Sequence, residues 1–487
     1  MQSIKSQITK YWKYYLTIFL VAFSISYSII GINKPFTTGH LDNINARQGT
    51  WNENFIQHGY FKMKFGTLAS FDKDNRCLKS GYYINHPSFG PILYSLPAWL
   101  LGNKEWSIRI VPLLIFLFNL FLLYKIISHI FDSETGLIAV IIYSFLPVNR
   151  IYNMLPDYYG PLFFTYTLLI IYFIFKYDRE EKTKYEILFF TVYFFSLLHD
   201  WFSIVNFFVI LLYYLFFKRK KIYKGLFFLV TLTNAAFLLN FLHIYLLTGS
   251  FMVDKIFRQF IYRKGEINFI NSLFLLHNFE IAFGIAAITA AIAGILVFYK
   301  IRNKKYKFIL YSQIITSLFL LIMFKGALEI HWFLFMNFSL LITLAILSIL
   351  KFSKERGYFI FKLLLPAILF LIILSSQSVI NEYRQDGVHC RGRFNKNRCF
   401  LEYKDDSAPH YILLKKFLET TNYNSEETLI LLRDPGFYKA DYYLAINGYC
   451  FDTAFGNPFE YNNLKGFENI VFIELDENNN LKIEKTK

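Results

Sequence analysis

Cysteine is scarce in this chain: four in 487 residues, at positions 77, 390, 399 and 450. Their spacing matches no zinc module. Acids are scarce as well, with 35 Asp and Glu against 51 Lys and Arg, a net charge of +16. In a soluble protein that excess would suggest nucleic acid. Here no nucleic-acid-binding motif accompanies it, and the basic residues collect in short runs between apolar segments. Charges are nearly missing from the middle of those segments, which argues against an ion or substrate path built at a membrane midplane. There is no sustained repeat and no low-complexity tract. The "DNIN" at 42–45 lacks the Gly and closing Glu of a calcium loop.

What the chain does have is apolar bulk. It is 55% hydrophobic and 20% aromatic, arranged as long apolar stretches separated by basic loops, the pattern of a polytopic membrane protein. The basic start leads into "YYLTIFLVAFSISYSII". No small-x-small cleavage site follows, so this stretch is expected to be an uncleaved first span. Further spans are expected near 106–126, 135–152, 159–176, 185–199, 203–217, 225–247, 279–299, 307–324, 332–350 and 360–376, about eleven in all. The stretch 85–102 is short and proline-broken, and suits an interfacial helix.

Charge bias orients the array. With the N-terminus inside, the loops "KYDREEKTK", "KRKKIYK", "KIRNKKYK" and "KFSKERGYFIFK" all face the cytoplasm, and "NMLPDYYG" and "KGALEIHW" face outward. The first outer loop then covers 31–105. A transmembrane domain runs over 1–376. The charged, Asn-rich remainder, 377–487, reads as a small extracytoplasmic α/β domain, with a helix at "APHYILLKKFLETTN" and strands at "ETLILLRD" and "NIVFIELD". All four cysteines fall outside, where disulfides are compatible with the compartment; the pairing stays open.

An ionisable group beside a bundle needs a partner or a role. Asp42 and His86 in the first outer loop, Asp157 in the second, His199 and Asp200 at a tight outer tip, and Glu329 and His331 in a later loop all fall on one face. That convergence suits a reaction centre at the outer surface with a lipid-borne substrate.

The segments "GHLDNINARQGTWNENFIQHGYF" and "YYINHPSFGPILYSLPAWLLGNKEWSIRIVPLL", with the later "LLHDWFS" and "EIHWFLFMNFSLL", resemble the polyprenyl-phosphate-sugar-dependent glycosyltransferases of the GT-C fold. That group includes the protein O-mannosyltransferases and the aminoarabinose transferases of lipid A. The resemblance is strongest over 38–205. It implies a mostly α-helical GT-C enzyme moving a sugar, with inversion, from a polyprenyl-phosphate donor to a protein, lipid or glycan acceptor. Asp42 would be the general base and Asp157 its helper. His86, with Arg109, Lys62 or Lys64, would hold the donor phosphate, and His199, Asp200, Glu329 and His331 would contact substrate. Many relatives have Asp-Glu where this chain has Asp42-Asn43. No metal and no cofactor is expected, and the partners are the donor lipid, the acceptor and the surrounding membrane lipids, not nucleic acid. Plainer roles compete. Asp42 fits a helix N-cap, His199 and Asp200 fit a hairpin cap, and Arg109 fits snorkelling to headgroups. A lipid-linked glycan flippase and a non-catalytic envelope assembly protein remain the alternative functions.

Overall fold

The computed structural model describes residues 2–33, 40–68, 82–158, 160–264, 269–330 and 332–386, and four strands beyond them. The first helix, α1 (Gln2–Ile30), precedes the polar stretch, which folds as α2 (His40–His58). α2 is not a water-facing helix. Its apolar residues Ile44, Trp51 and Phe55 are buried, and so are Asn45, Gln48, Asn52 and Asn54. Buried amides need partners. Gln48 donates to the Asn52 side chain (2.7 Å) and to the Pro91 carbonyl (3.0 Å), and Asn54 donates to the Leu68 carbonyl (2.8 Å). These bonds latch α2 to protein on more than one side.

Next come α3 (Phe89–Leu101) and α4 (Glu105–Ile130). α3 has 13 residues, too few to cross a bilayer, and leaves Leu96, Trp99 and Leu100 exposed, as a helix lying in the interface would. α4 has 26 residues, a rod of about 39 Å. At its start, Asn103 donates to the Gly49 carbonyl of α2 (2.8 Å).

The expected span 135–152 is broken. It divides into α5 (Ser133–Phe145) and α6 (Pro147–Tyr152), because Pro147 opens a new helix and forces Leu146 into extended backbone. α7 (Pro161–Glu180), α8 (Thr183–His199), α9 (Val205–Phe217) and α10 (Ile222–Thr248) follow, then α11 (Val253–Lys264), α12 (Phe269–Phe283) and α13 (Ile285–Val297). The expected span 279–299 is also not one rod, since α12 and α13 meet at a 101° bend. The bend sits at Gly284, whose φ of +75° favours glycine; a Cβ there would lie 2.2 Å from the Ser375 hydroxyl. α14 (Lys304–Met323), α15 (Lys325–Ile330), α16 (Ser339–Arg356) and α17 (Tyr358–Asp386) complete the bundle.

Among the described residues, six helices are long and apolar enough to cross a membrane, or seven if the bent pair is one span. The chain is an integral membrane protein by this composition. The difference from eleven arises at four places: α1, which is not among these helices, the break at Leu146, and the 17 and 13 residues of α8 and α9.

Polar bonds tie the helices where apolar contact alone gives little preference. Thr165 donates to Asn119 (2.8 Å) and Thr167 to Asn206 (2.8 Å). The buried Arg150 of α6 donates to the Ser24 carbonyl of α1 (3.2 Å) and to Ser376 (3.1 Å) and Gln377 (3.2 Å) of α17. The acids at the start of α5 pair with lysines from elsewhere, the N-cap Asp132 with Lys351 (3.0 Å) and Glu134 with Lys13 (2.8 Å). Glu186 likewise meets Lys224 (2.9 Å) and the Tyr214 hydroxyl (2.7 Å).

In the tail, β1 (Thr428–Leu432), β2 (Cys450–Thr453), β3 (Asn469–Leu475) and β4 (Leu481–Lys485) form one sheet in the order β2-β1-β3-β4. β1 runs parallel to β2 and β3, and β4 runs antiparallel to β3. β1 and β3 are the two expected strands. The expected helix near 408–422 and Cys77, Cys390 and Cys399 lie outside the described residues.

Replacing Arg150 with Met removes three bonds that hold α1, α6 and α17 together. The variant is expected to lose about 2–4 kcal/mol of stability, read as a lower unfolding midpoint in detergent. An unchanged midpoint would contradict this role.

Candidate active site

His86 sits at a bend in the irregular segment that leads into α3. Two bonds fix that segment: the Tyr83 amide donates to the Thr67 carbonyl (2.8 Å), and the Trp201 indole donates to the Asn85 carbonyl (3.2 Å). The imidazole is buried and stacks on Tyr158, with ring centres 4.2 Å apart. Its Nδ1 meets the Asp200 carboxylate. Its Nε2 lies 2.7 Å from the Arg263 guanidinium.

These two contacts settle the ring's protonation. A guanidinium only donates, so Nε2 must present its lone pair. The single proton of the neutral ring is therefore on Nδ1, donated to Asp200. Burial, then the charges of Arg263 and Arg47, hold the His86 pKa well below its usual range. Burial pushes the Asp200 carboxyl up, to about 7, against the Phe202 amide, His199 and Arg263, which favour its charged form.

Asp200 follows the last residue of α8. The sequence suggests an exposed tip there, but His199 and Asp200 are completely buried. Asp200 does cap the short turn Trp201–Ile204, as the plainer reading holds, accepting from the Phe202 amide (2.8 Å). Its other oxygen serves His86. His199 packs behind, with Nε2 3.0 Å from the Tyr158 carbonyl. Gly90 leaves room for it: a Cβ there would lie 2.7 Å from the His199 ring.

α2 supplies the opposite cation. Arg47 pairs with Asp157 at 3.1 Å and lies over the rings of Trp51 (5.0 Å) and Tyr83 (5.3 Å). Asp157 is buried and Arg47 is about one third exposed. Between these groups is a partly open cavity of about 100 Å³. Arg47, Asp157, Tyr83, Tyr158, His86 and Arg263 form its polar wall, and Ile44, Phe333 and Leu334 are among the apolar residues that close it. Two guanidinium groups beside one buried carboxylate make an anion-binding site with a base at hand.

The structure brings together only part of the expected set. His86 and Asp157 line the cavity, and Asp200 joins through His86. Asp42 is in the first turn of α2, the helix that also supplies Ile44 and Arg47; its side chain lies outside the described residues. So do the Glu329 side chain and all of His331, although Ala327, Phe333 and Leu334 around them line the cavity. Arg109 is placed elsewhere. It is buried at the start of α4 and donates to the carbonyls of Gly31 (3.2 Å) and Ile32 (3.0 Å). Lys62 and Lys64 are exposed and do not line the cavity; Lys64 donates to the Leu246 carbonyl (3.4 Å). Among the described residues, no group of three potential metal ligands converges.

Arg47 and Arg263 are not among the residues expected from sequence. Arg47 lies five residues after Asp42 in the same stretch. Arg263 has a usable signal. The loop after 225–247 is expected outside, where basic residues should be few, yet it carries Lys255, Arg258, Arg263 and Lys264.

Replacing Gly90 with Ala forces the His199 ring aside and disturbs the Tyr158 wall. The expected outcome is a protein that inserts normally but has a lower unfolding midpoint, by about 1–3 kcal/mol. A midpoint equal to that of the parent protein would show that His199 moves without cost.

Known proteins share this architecture. A family model described as dolichyl-phosphate-mannose-protein mannosyltransferase matches residues 85–245. No curated protein matches the sequence. Solved structures match along most of the chain. An archaeal oligosaccharyltransferase from Archaeoglobus fulgidus, in the apo form, has a TM-score of 0.59 at 14% identity, covering 93% of this chain and 66% of its own length. The same organism's oligosaccharyltransferase AglB, in complex with an inhibitory peptide and a dolichol-phosphate, gives 0.60 at 12%, covering 96% and 70%. ArnT from Cupriavidus metallidurans, bound to undecaprenyl phosphate, gives 0.59 at 11%, covering 87% and 84%. This chain thus spans about two thirds of the archaeal proteins. It shares the GT-C fold of these transferases.

Proposed function

We propose that this chain is a membrane glycosyltransferase that takes a sugar from a polyprenyl-phosphate donor and passes it to an acceptor at the extracytoplasmic face. The observation that carries the reading is the cavity between Arg47 and Arg263, with Asp157 on its wall, in a chain of GT-C fold. As the sugar leaves, negative charge grows on the lipid phosphate, and two guanidinium groups beside it stabilise that charge. The acceptor loses a proton as the new bond forms. A carboxylate takes it: Asp42 as base, with Asp157 holding the acceptor or the base in position.

Orientation follows from the charge bias. The alternation of basic and base-poor loops along the chain puts the basic loops inside and the cavity outside. The ion pairs of Asp132, Glu134 and Glu186 support that order, because they gather at the helix ends that carry the basic loops, the full length of α4 away from Asn103 and its contact with α2. The expected boundary at 377 falls inside α17, which continues to Asp386; the tail beyond that helix forms an outer α/β domain and helps to bind the acceptor.

The test is purified protein in liposomes with radiolabelled polyprenyl-phosphate sugars, watched for transfer or hydrolysis. Arg47→Ala and Arg263→Ala are each expected to lower kcat/KM by about 10²–10³. Asp42→Asn is expected to abolish transfer at a normal protein level. Unchanged transfer in Asp42→Asn would sink the enzymatic reading of that residue, and a wild-type protein that only moves the lipid across the bilayer would favour a flippase.

A further inference from the structure

The sequence suggests His86 as a ligand of the donor phosphate, but both of its ring nitrogens are engaged: Nδ1 with Asp200 and Nε2 with Arg263. A neutral ring with this tautomer has no N–H to offer at Nε2. The arrangement serves a different purpose. Asp200 does not line the cavity, yet both of its oxygens lead there. Oδ2 accepts from His86, whose Nε2 then accepts from the guanidinium. Oδ1 accepts from the Phe202 amide (2.8 Å), and the Phe202 ring lies under the same guanidinium, 6.0 Å from its central carbon. One buried carboxylate thus fixes two surfaces against which Arg263 rests.

We infer that Asp200 and His86 are positioning residues: a fixed-tautomer relay that aims the Arg263 guanidinium into the cavity without placing a further positive charge there. Neutrality of the relay matters. A protonated His86 would repel Arg263 and Arg47. It would also present an N–H to Arg263, leaving two donors face to face. The depressed pKa of His86 agrees with this role. The geometry stands by itself, and only the identity of the ligand rests on the proposed polyprenyl-phosphate donor.

Two measurements test it. The first needs no substrate. Protein labelled with ¹⁵N-histidine, in lipid, is examined by solid-state NMR, and the His86 signal is identified by its loss in His86→Gln. The expected state is neutral with the proton on Nδ1 at about pH 8, where the Asp200 carboxyl is charged. In Asp200→Asn the amide offers an N–H to Nδ1, so the proton is expected to move to Nε2. A charged or Nε2-protonated ring in the wild type overturns the relay.

The second measurement reads the coupling. Binding of undecaprenyl phosphate to the protein in nanodiscs is measured for wild type, Asp200→Asn, Arg263→Ala and the double variant. Asp200→Asn is expected to weaken binding about tenfold, the effect of one misdirected hydrogen bond. The double variant should bind no worse than Arg263→Ala, because Asp200 acts through Arg263. Effects that multiply would show an independent structural role and overturn the inference. Should Asp200→Asn not fold, His86→Gln replaces it in the same cycle. A wild type that binds no polyprenyl phosphate defeats the donor reading, and the NMR result then decides the relay on its own.

Discussion

Two guanidinium groups beside one cavity repel each other, and a largely apolar bundle screens that repulsion poorly. The site is organised around this constraint. Each arginine has an acid, but the acids are used differently. Arg47 meets Asp157 directly at 3.1 Å. Arg263 reaches Asp200 through a neutral imidazole. The segments that deliver these four side chains are α2, α11, the loop before α7 and the turn after α8, and polar bonds hold α2, the loop before α7 and the turn after α8 in place. The amide latches of α2, the indole bond of Trp201 and the close seat of His199 against Gly90 all serve to keep those segments in register.

Much of this arrangement is legible in the amino-acid sequence. The polar first loop, the convergence of Asp157, His86 and Asp200, and the short helix before α4 follow from hydropathy and charge bias. Resemblance to the GT-C transferases points to the same residues. What the sequence does not show is which polar groups share a hydrogen bond. His86 and Asp200 are 114 positions apart, and no local pattern distinguishes a phosphate ligand from a ring already occupied at both nitrogens. Arg109 illustrates the converse. Its place at the head of a span suits a phosphate ligand, but the carbonyls that end α1 need a donor, and Arg109 supplies it. The breaks at Leu146 and Gly284 are hidden for a simpler reason. Hydropathy averages over a window and does not register a single backbone bend.

The two cations meet different neighbours, and that difference bears on the chemistry. Arg47 is paired directly with a carboxylate, so the field it projects is largely cancelled close by. Arg263 meets a neutral ring and the face of Phe202. The cavity thus has a guanidinium toward α11 and a guanidinium–carboxylate pair toward α2. In the proposed reaction the two ends have opposite needs. The leaving phosphate gains negative charge and suits the α11 side. The acceptor gives up a proton and suits the side of Asp157 and of the helix that carries Asp42. Holding His86 neutral keeps the two sides distinct. A charged imidazole at the centre would spread the positive potential across the cavity and draw the carboxylate's influence away from the proton it is positioned to receive.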